Sequence, residues 1–159
     1  SRGGPLGVAT SAYGIREVVE IGIDLFGYLE RLQLTGQPRL TTAAYGALLG
    51  LRFRGWLDLG PEGTVPFMGI LSGPVLASAV FEGGSARETF SQGTAIAVGA
   101  TLRFTPSWGL SAEYRLVFAR GGVGRPDERL GSFNAGGSWF SLGVNYTFPR
   151  DPSPSRAPF

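Results

Sequence analysis

Apolar side chains recur at every second position through most of this chain. Between residues 43 and 54, Tyr45, Ala47, Leu49, Leu51 and Phe53 form one row, and Gly46, Leu48, Gly50, Arg52 and Arg54 form the other. The split repeats between residues 95 and 109, where Ile96, Val98, Ala100, Leu102 and Phe104 oppose Ala97, Gly99, Thr101 and Arg103. It repeats again with Leu110, Ala112, Tyr114, Leu116 and Phe118 against Ser111, Glu113, Arg115 and Val117. Near the end, Phe140, Leu142, Val144, Tyr146 and Phe148 oppose Trp139, Ser141, Gly143, Asn145 and Thr147. Successive side chains leave a strand on opposite sides, so a period of two predicts β-strands with two unlike faces.

Two stretches carry the pattern less cleanly. Residues 16 to 32 alternate from Val19 to Leu25 but also fit helical spacing through Ile15, Val18, Gly22, Phe26 and Leu29; the neighbouring strands favour a strand. Between residues 64 and 81 the alternation falters at Gly73 and Pro74, and because proline cannot donate to a ladder, a parity-shifting bulge is expected there.

Glycine and proline divide the chain into seven expected strands: residues 6–14, 17–27, 40–54, 65–81, 90–104, 109–119 and 138–148. Short or compact connections follow Ile15 and occupy 56–63 and 105–109. Longer glycine-rich ones occupy 30–39, 82–88 and 120–137, the last including "RGGVGRPDERLG", read as a surface loop. Connections that alternate in this way, without helical crossovers, predict an all-β, antiparallel up-and-down barrel. Transmembrane barrels of single bacterial chains have an even number of strands, at least eight. Eight are therefore expected, with either a first strand upstream of Ser1 or one further strand that the alternation leaves unrecognised, and any secretion signal lies outside these residues.

Composition narrows the solvent. Charged residues make up 16% of the 159 positions, against about 25% in an average soluble domain. No run approaches the roughly 18 to 20 apolar residues of a membrane helix. The apolar row therefore faces either a soluble core or lipid, and the other row decides between them. It is rich in Gly, Ala, Ser and Thr, which suits a narrow interior better than a water-facing wall. Its charges, Glu20, Asp24, Arg52, Arg54, Arg103, Glu113 and Arg115, are of both signs and predict a cross-linked lumen.

Aromatic residues gather at the expected strand ends. Phe53, Trp56, Phe104, Trp108, Tyr146 and Phe148 fall toward the short-turn rim, and Phe26, Tyr28, Phe81, Phe90, Phe118 and Phe140 toward the long-loop rim. Two such girdles bracket the apolar band of a membrane barrel.

The chemistry available is limited. There is no histidine and no cysteine, which removes the Ser-His pair, the thiol nucleophile and the His-bearing zinc site. No carboxylate pair has an evident reason for split pKa values. Neither an enzyme nor a cofactor is expected. A formal charge of +2 comes from arginines scattered singly among acids, so no nucleic-acid partner is expected.

The segments "GLSAEYRLVF" (109–118) and "SLGVNYTF" (141–148) resemble the penultimate and closing strands of the small bacterial outer-membrane β-barrel family, the eight-stranded kind represented by the membrane domains of outer-membrane proteins A and X. The resemblance implies residence in the bacterial outer membrane. It also implies that Gly143, Tyr146 and Phe148 form the signal read by the barrel-assembly machinery. Residues 1–148 would form the barrel, and 149–159 a short proline-rich periplasmic tail, expected to be disordered. The expected role is structural or one of surface interaction, with outer-membrane lipid as partner. Arg31, Arg39, Arg87, Arg120, Arg125 and Arg129 at the long-loop rim are candidates for the phosphates of lipopolysaccharide. Two alternatives stand beside this reading: a small porin-like pore lined by Arg52, Arg103, Glu113 and Arg115, and a soluble lipocalin-like ligand-binding barrel.

Overall fold

A computed structural model describes residues 4–16, 18–32, 39–81, 87–125, 128–134 and 136–148; within these, the side chains of 16, 32, 81, 87, 120–125 and 128–134 are left aside. The described elements are all strands: β1 (Leu6–Arg16), β2 (Val19–Leu32), β3 (Leu40–Arg54), β4 (Thr64–Phe81), β5 (Arg87–Arg103), β6 (Trp108–Arg125), β7 (Glu128–Asn134) and β8 (Gly137–Tyr146). Consecutive strands pair antiparallel from β1 to β7, and β8 also pairs with β6. Residues 16–32, which also fitted helical spacing, are strand.

β7 and β8 share one edge of β6, in a common register as far as Val123, beyond which the β6–β7 pairing shifts by one residue. Val117 pairs with Gly137, and three residues further along Arg120 pairs with Asn134. Together they make one interrupted stave, so the sheet has seven staves, as the alternation predicts. The expectation of a loop across 120–137 is corrected: β6 continues to Arg125 and β7 returns along it. The glycines at 121, 122, 124 and 131 leave no side chain to mark a face, which hides these strands from a search for alternation. The proline-rich tail lies outside the described residues.

The expected bulge at Gly73 and Pro74 is also corrected. Register with β5 runs without a shift from Thr64 opposite Leu102 to Ala79 opposite Arg87. Pro74 instead interrupts the other ladder: β3 and β4 pair at Gly46↔Val75 and resume at Leu49↔Ser72. The lost donor thus costs ladder bonds without moving side chains to the other face. Glycine is required beside it, because a Cβ at Gly73 would collide with the Ala47 carbonyl oxygen.

The sheet is strongly curled. At about 4.8 Å per strand, β2 and β8 would lie about 24 Å apart in a flat sheet. Yet the rings of Phe26 and Trp139 are 5.1 Å apart, and those of Tyr28 and Trp139 are 5.3 Å apart. The concave side encloses a core of small and branched residues, with Leu48, Leu71, Val75, Ala95 and Ala97 fully buried. Phe26 and Tyr28 belong to this interior, which corrects their expected place in an outer girdle. Both lie on the inward row of β2 with Asp24, at the end where an aromatic strand terminus also fits a girdle.

The β3–β4 connection is a compact cap on the short-turn rim. Leu57 and Thr64 exchange backbone hydrogen bonds of 2.8 Å, and Arg103 donates to the Gly63 carbonyl at 3.0 Å. Gly60 and Gly63 have φ values of 89° and 83°, in the region where a side chain is strained.

Candidate functional site

The two faces of the sheet differ in charge more than in anything else. Residues directly opposite in an antiparallel pair share a face, so the registers assign every row. The inward rows of β2, β3, β5 and β6 carry Glu20, Asp24, Glu30, Arg52, Arg54, Arg103, Glu113 and Arg115. Among outward residues with described side chains, the only charges are Arg31 and Glu88, both at long-loop ends of strands. The rest of the outer wall is dominated by exposed apolar groups such as Ile23, Leu49, Leu51, Met68, Ile70, Val98, Leu110 and Leu142. One polar pair interrupts it. Gln92 Nε2 donates to Ser72 Oγ at 2.8 Å, and that hydroxyl donates to the Gly93 carbonyl at 3.0 Å.

Inside, the charges form two groups and a rim residue. The central group is Asp24, Arg52, Glu113 and Arg115. Arg52 Nη2 donates to both carboxylate oxygens of Asp24, at 2.9 and 2.8 Å. Arg115 Nη2 reaches the same carboxylate from β6 at 2.5 Å, and its Nε donates to Glu113 Oε1 at 2.6 Å. Glu113 Oε2 lies 3.6 Å from Arg52 Nη2, which closes the ring of contacts. Two guanidinium and two carboxylate groups make the cluster formally neutral. Asp24 is wholly buried, and the Arg115 side chain is 2% exposed.

Neutrality and direct pairing explain how four ionisable groups tolerate burial. Desolvation of each ion costs several kcal/mol, which only close, hydrogen-bonded partners offset. The cluster ties β2, β3 and β6 across the interior and so holds the curl of the sheet. Arg52 Nε and Arg115 Nη1 have no partner among the described residues.

The remaining expected lumen residues sit nearer the short-turn rim. Glu20 and Arg54 pair at 3.0 Å, separately from the central cluster. Arg103 donates to the Pro106 carbonyl, and its guanidinium lies 5.6 Å from the Trp56 ring. Two interior partners were not legible from the sequence. Phe67 lies beneath Arg52, 5.3 Å from its guanidinium carbon to the ring centroid, in the strand whose faces the faltering alternation obscured. Trp139 is the other: its row was legible, but its contact with β2 depends on the curl.

The expected girdle residues divide by surroundings. Phe53, Phe104, Trp108, Phe118 and Phe140 are outward and exposed. Trp56 stands in the β3–β4 connection, close enough to Gly63 that a Cβ there would strike its ring. Tyr146 packs against Trp108 with ring centroids 4.7 Å apart, and Phe148 follows it, fully open. Gly143 lies on the inward row of β8, opposite Ser111. Of the rim arginines, Arg31 and Arg39 are exposed, whereas the side chains of Arg87, Arg120, Arg125 and Arg129 lie outside the described set. No protein-family model, curated protein or solved structure matches the chain.

Proposed function

We propose that this chain is a non-enzymatic integral β-barrel protein of a bacterial outer membrane. Its role is structural or one of surface interaction, and its lumen is filled by its own side chains. The observation that carries the reading is the segregation of charge among the described side chains: eight charged residues lie on inward rows, and the strands carry outward charges only at their long-loop ends. A water-facing wall gains nothing from excluding charge, whereas a charged side chain facing mid-bilayer costs a barrel about 2 to 4 kcal/mol.

Strand length supports the same reading. A strand crosses a bilayer with about 9 to 11 residues. β8, the shortest run able to act alone, has 10 residues, and β4 and β6 have 18 each. The longer strands therefore extend past the hydrocarbon on the long-loop side, where Arg31, Arg39 and Glu88 lie. Trp108 and Tyr146, packed together at a tilt at the other rim, suit the opposite interface.

The packed interior favours a closed barrel over a pore, since buried Leu48, Leu71 and Val75 occupy the concave side beside the ion cluster. In this reading Gly143, Tyr146 and Phe148 are the part of the closing strand recognised during assembly, and Arg31 and Arg39 are free to meet lipid phosphates. The test is fractionation of cells followed by electrophoresis with and without boiling. Outer-membrane recovery with heat-modifiable migration is expected; a protein recovered without detergent and insensitive to boiling would end the proposal.

A further inference from the structure

The polar interruption of the outer wall coincides with a break in the sheet beside it. Ser72, Pro74, Gln92 and Thr94 stand outward on β4 and β5, where Ser72 pairs with Thr94 and Pro74 with Gln92. Toward β3 the ladder passes from Gly46↔Val75 to Leu49↔Ser72 and skips Ala47, Leu48, Gly73 and Pro74. Large apolar groups surround the spot, with Tyr45, Leu49, Ile70, Phe90, Ile96 and Phe118 all exposed. We infer that this patch is the contact surface for a second copy of the chain, with Gln92 at the two-fold axis. The inference rests on the membrane reading, because in water neither an exposed amide nor an open ladder calls for a partner.

Two independent observations call for protein rather than lipid over the patch. The first is the hydrogen-bonding balance of Gln92, whose side chain carries two N–H donors and a carbonyl acceptor. One N–H goes to Ser72 Oγ, and that hydroxyl donates to the Gly93 carbonyl. Among the described residues the second N–H and the carbonyl of Gln92 have no partner. An acyl chain offers neither donor nor acceptor, so in hydrocarbon these groups are satisfied only by another polypeptide. The second is the backbone: Pro74 has no N–H to give to β3, and irregular backbone at membrane depth is tolerated where protein covers it.

Self-complementarity selects a second copy. A group that both donates and accepts is matched by itself across a two-fold axis, so two Gln92 amides can exchange N–H···O bonds while each keeps its bond to Ser72. With the axis along the bilayer normal, both copies stay the same way up. None of the four outward residues of the patch is charged, so like copies do not repel there. Ala47, Ser72 and Thr94 are small beside the large residues around them, which lets the two walls approach and the apolar surroundings pack against their counterparts.

Energy transfer between labelled copies in phospholipid vesicles tests this. The chain has no native cysteine, and Asp58→Cys, in the β3–β4 connection, gives a labelling site away from the patch. Transfer should rise with the protein-to-lipid ratio and saturate at the level of a dimer. Gln92→Leu should weaken association on the order of tenfold, the loss of two inter-chain hydrogen bonds in a membrane, with heat-modifiable migration unchanged. Thr94→Cys, treated with a short bis-maleimide, should trap a dimer, whereas Ile23→Cys, outward on β2, should not. A monomer at every ratio, association indifferent to Gln92→Leu, or a Thr94→Cys protein joined to a different polypeptide in native membranes would each overturn the inference. Failure to insert, with migration insensitive to boiling, would remove the membrane reading and the inference with it; an inserted, heat-modifiable protein that stays monomeric would count against the interface alone.

Discussion

The inner and outer walls of this molecule are built on the same strands, often from adjacent residues, and obey opposite rules. Leu48 and Leu49 are chain neighbours on β3, yet Leu48 is fully buried and Leu49 is 56% exposed. Arg52 is sunk among Asp24 and Glu113, while Leu51 and Phe53 on either side of it stand outward. In a water-soluble barrel the charged residue belongs outside and the leucine inside. Here the charged residue is inside and its apolar neighbours stand outward, the order that the proposed lipid-facing wall requires.

Substitutions can break that contrast from either side. The largest effect is expected at Asp24, whose replacement by alanine leaves Arg52 and Arg115 buried with only Glu113 between them. Removing one partner of a buried ion cluster costs about 3 to 5 kcal/mol, measurable by denaturant unfolding of the protein in detergent. Asp24→Leu combined with Arg115→Met should lose less than Asp24→Leu alone, since the stranded charge goes with it.

Next comes the pair of adjacent leucines. Leu48→Ala should cost about 2 to 5 kcal/mol through the cavity it leaves. Leu49→Arg should cost about 2 to 4 kcal/mol in a bilayer, yet leave folding unaffected if the wall faces water. That difference in response to one solvent change sharpens the comparison more than either value alone. The smallest effect is expected at the β5–β6 turn, which belongs to neither wall. Thr105 Oγ1 accepts from the amides of Ser107 at 3.3 Å and Trp108 at 2.9 Å, so Thr105→Ala should cost about 0.5 to 1.5 kcal/mol, seen as a small shift in the same unfolding curve.

Much of this contrast was readable from the chain because period two survives wherever a row contains large residues. The inward and outward rows of β3, β5, β6 and β8 follow directly from Leu49, Val98, Tyr114 and Phe140 and their neighbours. Reading failed where side chains are small or the backbone is unusual. Glycines hid β7 and the extension of β6, and Pro74 resembled a change of face when it only removed ladder bonds.

Pairings across the lumen were harder still. The residue types of the ion cluster were legible from their rows. That Asp24, Arg52, Glu113 and Arg115 meet while Glu20, Arg54 and Arg103 lie apart depends on strand stagger and curl, which no local pattern encodes. Phe26 and Tyr28 show the same limit: being aromatic at a strand end fits a girdle, but their row places them against Trp139.

The central claim is that the apolar wall faces lipid, and β3 offers the most direct measurement. Single cysteines at residues 47 to 53, spin-labelled in protein reconstituted into phospholipid vesicles, report collision with oxygen, which concentrates in the bilayer, and with a water-soluble nickel chelate. The account predicts a period of two, with labels at Leu49 and Leu51 accessible to oxygen and shielded from nickel. Labels at those two positions that meet nickel as freely as an exposed aqueous site would contradict it.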